Sequence, residues 1–321
     1  MQTNKVKLGI LLPTRGLVMT ENNPRDADII LSLARRVEEA GLDSVWVGDS
    51  LTAKPRMEPL TTLTAVAART ERVRLGTAVL LAGLRHPVIM AHVVGTLDLI
   101  SKGRAVLGVG VGGAFNDDQR REWMTAGVKP SRRAGRLEEL VEIMKRLGAG
   151  ETVSYDGRHF NLDAVSMEPR PVQPGGVPML IACHWRAGKE DQFRRAARLG
   201  DGFISISDTP EEYAKVAEKV RIYAGEEGKD FDQMESAFYM TVNLGDDPKA
   251  AAEEAEKYLL MYYGANIWGS RWGPFGPTEM TIERIRQYIQ AGAGTVIVRF
   301  ASFDQERQLD TFLKEVAPAF R

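Results

Sequence analysis

Short apolar runs alternate with longer amphipathic segments along nearly the whole chain. Apolar runs with no polar face are the mark of parallel strands buried on both sides, and the longer segments repeat their apolar residues at helical spacing. The first run covers residues 6–12. A helix is expected after it, with Asn23 as cap and Pro24 in the first turn. Ala27, Ile30, Leu33, Ala34 and Val37 form its inner stripe, and Gly41 stops it. Further strands are expected at residues 44–48, 73–80, 105–109, 178–182, 202–206, 237–244 and 295–300. Helices are expected at 59–69, 87–100, 132–147, 191–199, from Thr209 onward, 248–263, 278–291 and from Ser302 onward. Thr209-Pro210-Glu211-Glu212 and Ser302-Phe303-Asp304-Gln305 both read as capping boxes. Two stretches break the rhythm. Residues 151–171 contain Asp156-Gly157, a hairpin turn signal, and residues 264–277 are rich in glycine and aromatics.

Eight strands, each followed by a helix, predict an α/β fold: a (β/α)8 TIM barrel with excursions after strand four and after strand seven. They use residues 1–321 as one domain and leave neither excursion long enough for a second. In such a barrel the chemistry sits at the C-terminal ends of the strands.

Composition narrows the function classes without naming one. Apolar residues make up 44%, enough for a large core, and 42 basic residues balance 43 acidic ones. That balance offers no footprint for nucleic acid or an anionic membrane. Cys183 is the one cysteine, which excludes an intrachain disulfide and suits a reducing, cytoplasmic setting. The start lacks the apolar core of a signal peptide, and no apolar run is long enough for a membrane span. His86, His92, His159 and His184 are scattered, with no zinc-like spacing, so no metal is expected.

The strand ends hold the candidate chemistry. Asp49, after strand two, is either a hydrogen-bond acceptor for a ligand or a loop cap. Gly108, Gly110 and Gly113 spell G-x-G-x-x-G after strand four. A dinucleotide fold needs a helix immediately after that motif, and the polar sequel from Asn116 reads as a loop, so a strand end open to a flat ligand is the better reading. After strand five, His184 is a candidate acid or base, and Cys183 reads as a small core residue. Ser205 to Ser207, after strand six, could hold a phosphate or cap the next helix. His86 reads as a helix cap or a loop contact. Trp268, Trp272 and Phe275 read as a pocket wall or a subunit contact.

The same residues carry a resemblance. The relevant stretches are Leu75-Gly76-Thr77-Ala78-Val79-Leu80 leading to His86-Pro87, then Gly103-Arg104-Ala105-Val106-Leu107-Gly108-Val109-Gly110, then Arg133-Ala134-Gly135-Arg136-Leu137-Glu138-Glu139. Residues 153–160, Pro169-Arg170-Pro171-Val172-Gln173 and Ala196-Ala197-Arg198-Leu199-Gly200-Asp201-Gly202-Phe203 follow in order. Together they resemble the bacterial luciferase-like superfamily, whose members bind FMN or the deazaflavin coenzyme F420. The resemblance implies a flavin-type ring across the barrel mouth, backed by a non-proline cis peptide at Ala78–Val79. It implies cofactor contacts from Asp49, Ala78, Val79, Gly110, Val111, Gly112, Asn116, Ala182, Cys183, His184, Ser205 and Ile206. Ser50, Trp185, Trp268 and Trp272 are then the expected substrate wall. Homodimers are common in the superfamily, and a homodimer is expected on that ground.

Two departures bear on mechanism. Many relatives place a histidine where Ser50 stands, and the sugar-phosphate dehydrogenases of the superfamily carry a glutamate where Gly113 stands. His184 or His86 is the replacement expected for the missing proton-transfer group. The first functional expectation is a monooxygenase using reduced FMN and oxygen on a small organic substrate, supplied by a flavin reductase. The second is a dehydrogenase or reductase that moves hydride through the deazaflavin without oxygen. The third is a flavin-binding protein without turnover.

Overall fold

The computed structural model describes residues 6–20, 24–265, 267 and 269–321, with only the backbone of Ser270. Eight parallel strands run in order around a closed barrel: β1 Lys7–Leu11, β2 Ser44–Val47, β3 Arg74–Leu80, β4 Ala105–Val109, β5 Met179–Ala182, β6 Gly202–Ile206, β7 Glu235–Leu244 and β8 Thr295–Phe300. Pairing of β8 with both β7 and β1 closes the ring. This is the (β/α)8 barrel that the alternation predicts. The α-helices around and above it are α1 Thr14–Thr20, α2 Asp28–Glu39, α3 Pro59–Ala67, α4 Pro87–Ser101, α5 Asp117–Thr125, α6 Arg133–Gly148, α7 Asp191–Leu199, α8 Pro210–Glu226, α9 Pro248–Tyr263, α10 Thr278–Gln290 and α11 Gln305–Thr311.

Each strand sends alternate side chains inward and outward. The outward set meets the helices in the main core, where Leu63, Val66, Leu107, Leu140, Ile181 and Val298 are all fully buried. The inward set forms a smaller core around Trp46, with Val106, Leu180, Ala237 and Ile297. Trp46 fits only because its neighbours lack side chains. A Cβ on Gly9 would lie 2.6 Å from its Nε1, and one on Gly76 would lie 2.1 Å from the ring. At the foot of the barrel, Arg74 pairs in bidentate fashion with Glu235, both bonds at 2.9 Å, and Thr295 Oγ1 donates to the same carboxylate.

The boundaries differ from expectation in three places. Pro24 precedes the helix instead of opening it: α2 begins at Asp28, and Asn23 lies outside the described residues. Ser302 does not cap the last helix. Asp304 accepts from the Arg307 amide and takes that role, while Ser302 Oγ donates to Glu254. The segment after Asn116, read as a polar loop, is the helix α5. Only Glu122 and Trp123 are buried on it, too few to produce an apolar stripe.

The excursion after strand four is a two-stranded antiparallel hairpin, Val153–Asp156 with Asn161–Val165. The excursion after strand seven includes the turn Gly269–Arg271 and a two-residue strand, Phe275–Gly276, beside the end of β7. Among the described residues no helix is long and apolar enough to cross a membrane.

Candidate active site

The strand ends enclose a cavity of about 210 Å³ at the C-terminal mouth. That is below the usual range for a drug-sized ligand, so a larger molecule would extend out of it along the rim. Its lining is mostly apolar, with three distinct sectors.

The first sector is a flat wall. β3 bulges between Thr77 and Leu80, and the Ala78–Val79 peptide there is cis, as the resemblance implies. The bulge pushes Thr77 against β4: a Cβ on Gly108 would lie 2.2 Å from the Thr77 carbonyl oxygen. A Cβ on Gly110 would meet Val79 at 2.9 Å and Ala182 at 3.3 Å. Both glycines therefore serve strand packing at the bulge, not ligand approach. Asp49 fixes the bulge from the other side. Its carboxylate accepts from the Leu81 amide at 2.9 Å and pairs with Arg85 at 2.5 and 3.1 Å. Ala182, Ile204, Ser205 and Ile206 continue the wall across β5 and β6. Ser205 Oγ donates to Asp208, which also accepts from the Trp185 amide. Burial pushes the Asp208 carboxyl up to about 6. His184 lines this side, with its backbone bracketed by the Gln192 amide. Burial, with Arg186 adding to it, lowers the pKa of its imidazole.

The second sector is a carboxylate and a hydroxyl. Glu122, 2% exposed, reaches from α5 into the mouth. Its Oε1 accepts from Ser50 Oγ at 2.6 Å and from the amides of Thr52 and Ala53 at 2.8 and 3.1 Å. Ser50 Oγ in turn accepts from the Lys54 amide at 2.9 Å. A hydroxyl has one donor and two acceptor positions, so Ser50 keeps one acceptor position for a ligand.

The third sector is cationic and aromatic. Lys54 and Arg56 line the cavity beside Tyr239, Tyr262 and Tyr263. Arg299, 2% exposed at the end of β8, stands behind them. It donates to Thr241 Oγ1 at 3.1 and 2.7 Å and to the Tyr263 hydroxyl at 2.6 Å. Arg15, from α1, donates to the Tyr262 carbonyl at 2.9 Å.

The expected site residues divide accordingly. Asp49, Ser50, Ala78, Val79, Ala182, His184, Ser205 and Ile206 come together around the cavity. Several others do not. Gly110, Val111 and Gly112 lie beside it without lining it, and Val111 packs against the main core. Asn116 caps α5, accepting from the Gln119 amide at 3.0 Å. The Cys183 side chain points into the helix-facing core at 1% exposure, where burial pushes the thiol well up and out of reactivity. His86 caps α4 through Nδ1 and stands edge-on to Phe160, so it is no acid or base for this cavity. Trp185 packs on Phe193, and Trp272 is stacked on Tyr263 and buried, so neither is a cavity wall. Trp268 lies outside the described residues.

The cavity residues that sequence reasoning missed are Glu122, Lys54, Arg56 and the three tyrosines, with Arg299 behind them. One signal for Glu122 was present. Asn116 followed by acidic Asp117 and Asp118 marks a helix start, and that helix carries Glu122 inward.

The model of the luciferase-like monooxygenase family matches residues 6–292. The chain is 30% identical to an F420-dependent glucose-6-phosphate dehydrogenase from Nocardia farcinica, over 91% of this chain and 94% of the relative. Two solved structures share the fold. One is an F420-dependent secondary alcohol dehydrogenase in complex with an F420-acetone adduct, with TM-score 0.81, 22% identity and 99% of each chain covered. The other is a monooxygenase from Streptomyces bottropensis, with TM-score 0.80, 23% identity, and 98% of this chain and 100% of that one covered.

Proposed function

The chain belongs to the luciferase-like monooxygenase family, and on that premise we propose that it is an oxidoreductase using the deazaflavin coenzyme F420 to oxidise or reduce a small organic substrate. The curated relative that it matches over nine-tenths of its length is named for that coenzyme, which favours it over FMN. The order of expectation from sequence, with an FMN monooxygenase and its flavin reductase first, is thereby reversed.

The cavity suits the coenzyme. The cis bulge at Ala78–Val79, with Ala182 and Ile204, offers a flat apolar wall for a planar ring, and Asp49 holds that wall through Leu81 and Arg85. When bound, the coenzyme supplies a hydride acceptor or donor.

The observation that carries the reading is the Ser50–Glu122 pair. Oxidising an alcohol to a carbonyl releases a hydride from carbon and a proton from oxygen, and the proton needs a base. Ser50 Oγ, oriented by the Lys54 amide and by Glu122, has one acceptor position left for a substrate hydroxyl. As the substrate gives its proton to Ser50, the Ser50 proton passes to Glu122 Oε1 along the 2.6 Å hydrogen bond. In the reverse direction Glu122 returns the proton by the same route. A histidine at position 50 is then unnecessary, and His184 belongs to the coenzyme wall.

The test is a fluorescence titration of the purified chain with coenzyme F420 and with FMN, followed by an oxygen electrode. Tight F420 binding without oxygen uptake is expected. Preference for FMN with substrate-dependent oxygen uptake would return the monooxygenase reading. Coenzyme binding with no change in its absorbance across a panel of alcohols and ketones would favour a carrier.

A further inference from the structure

Four cations crowd the side of the mouth opposite the flat wall, and no carboxylate answers them. Lys54, Arg56, Arg15 and Arg299 are each partly or fully buried, and none forms an ion pair with an acid among the described residues. The two acids of the cavity are committed elsewhere: Asp49 to Arg85, and Glu122 to Ser50 and two amides. Tyrosine rings take up part of the charge. Arg15, Arg56 and Arg299 lie 5.2, 5.5 and 4.9 Å from the Tyr262 ring, and Lys54 Nζ lies 4.4 Å from the Tyr263 ring. Burial, and next Arg56, pull the Lys54 ammonium down to about 8. Burial raises the Tyr262 hydroxyl, but Arg56, Arg299 and Arg15 outweigh it and leave its pKa lowered. The lowered Tyr262 hydroxyl, and the share of the Lys54 shift that comes from Arg56, fit a pocket of positive potential short of negative charge.

Clustered charges withdrawn from water are costly unless something of opposite sign meets them. Here the two that line the cavity, Lys54 and Arg56, face into it, and the two behind hold the tyrosines in place. We propose that the substrate is a small organic anion with a largely apolar body, whose carboxylate or other oxyanion binds Lys54 and Arg56 beside the Tyr262 and Tyr263 rings. This rests on the coenzyme reading above for the use of the opposite wall.

The lining speaks against a sugar body. Polyols need many polar partners, and the cavity lining is mostly apolar; several of its polar groups already give one bond to the protein, Tyr262 Oη accepting from Arg56, Tyr263 Oη accepting from Arg299 and Ser205 Oγ donating to Asp208. The tyrosine faces favour a flat or apolar body.

The experiment titrates the coenzyme-free and the F420-loaded chain with benzoate, inorganic phosphate and glucose 6-phosphate, read by calorimetry and thermal shift. Benzoate is expected to bind both forms more tightly than glucose 6-phosphate does. Arg56→Met and Lys54→Met are each expected to weaken it at least tenfold while coenzyme affinity stays within twofold, which also shows that the variants are folded. Tighter binding of glucose 6-phosphate would overturn the proposal in favour of a sugar-phosphate site. Loss of benzoate binding on loading with F420 would overturn it by assigning the cations to the coenzyme's own charge. No benzoate binding, or binding that neither variant weakens, would overturn it outright. If the chain fails to bind F420 while benzoate binding and its loss in both variants persist, the coenzyme reading fails and the anion site stands.

Discussion

Two regions of the barrel are built on opposite principles. Beside β3 to β6, toward the foot and on the outer helices, buried and half-buried charges have their partners within the protein. Arg104 donates to the carbonyls of Ala67, Thr70, Val73 and Ser101. Asp98, 0% exposed, accepts from the amides of Val172 and Gln173 and from the Gln173 side chain. Glu139 collects the hairpin amides of Arg158, His159 and Phe160. On the arc of α1, the 50–56 loop, α9 and β8, four cations have rings and neutral oxygens but no acid among the described residues. The first arc is complete without a ligand and holds the fold. The second is incomplete without one, and incompleteness of that kind is what a binding site costs in stability.

Substitutions can break this contrast. The largest effect is expected on the satisfied arc. Asp98→Ala strips three partly buried donors of their acceptor and should destabilise the chain by about 2–4 kcal/mol in urea denaturation. Glu122→Gln removes the proton acceptor and keeps the side-chain shape. Turnover should fall about 100-fold, with coenzyme affinity unchanged by fluorescence. A drop of less than about threefold would assign the proton to another group.

On the incomplete arc the sign should reverse. The pKa of Lys54 lies lower in the fold than in the unfolded chain, because of burial first and Arg56 next. The charged form is thus disfavoured by folding. The cost is fully present below about 8 and fades as pH rises toward 10.5. Lys54→Met should stabilise the protein by on the order of 1 kcal/mol at pH 7, with a smaller gain at pH 10. The smallest effect is expected at His86→Ala. It should cost about 0.5–1 kcal/mol as a lost helix cap and leave turnover untouched, since His86 does not line the cavity.

The same contrast explains what was legible in the sequence. The eight βα units announce themselves through continuous apolar runs and cap residues such as Thr209 and Glu212. The recognisable stretches, Arg104, Arg136, Glu139 and Gln173 among them, belong to the satisfied arc, where each side chain bonds a particular backbone position nearby. Asp49 was found because it sits directly at a strand end, and Ala78 and Val79 through the family resemblance of the stretch around them. The cationic arc was not legible. Arg15, Arg56 and Arg299 come from distant parts of the chain; in sequence Arg15 and Arg56 look like any surface arginine, and Arg299 is a lone charge in a buried strand with no partner in view. Only folding around Tyr262 makes them a group. Glu122 was hidden similarly, on a helix with too little apolar surface to declare itself.

The Arg74–Glu235 pair at the foot of the barrel and Trp46 above it give the well a floor. Anything that enters by the mouth must leave by it. On the proposed function, coenzyme and substrate would share a single doorway, and the molecule seated deeper would have to arrive first and depart last. Turnover in such a well would obey an order of arrival that no individual side chain enforces.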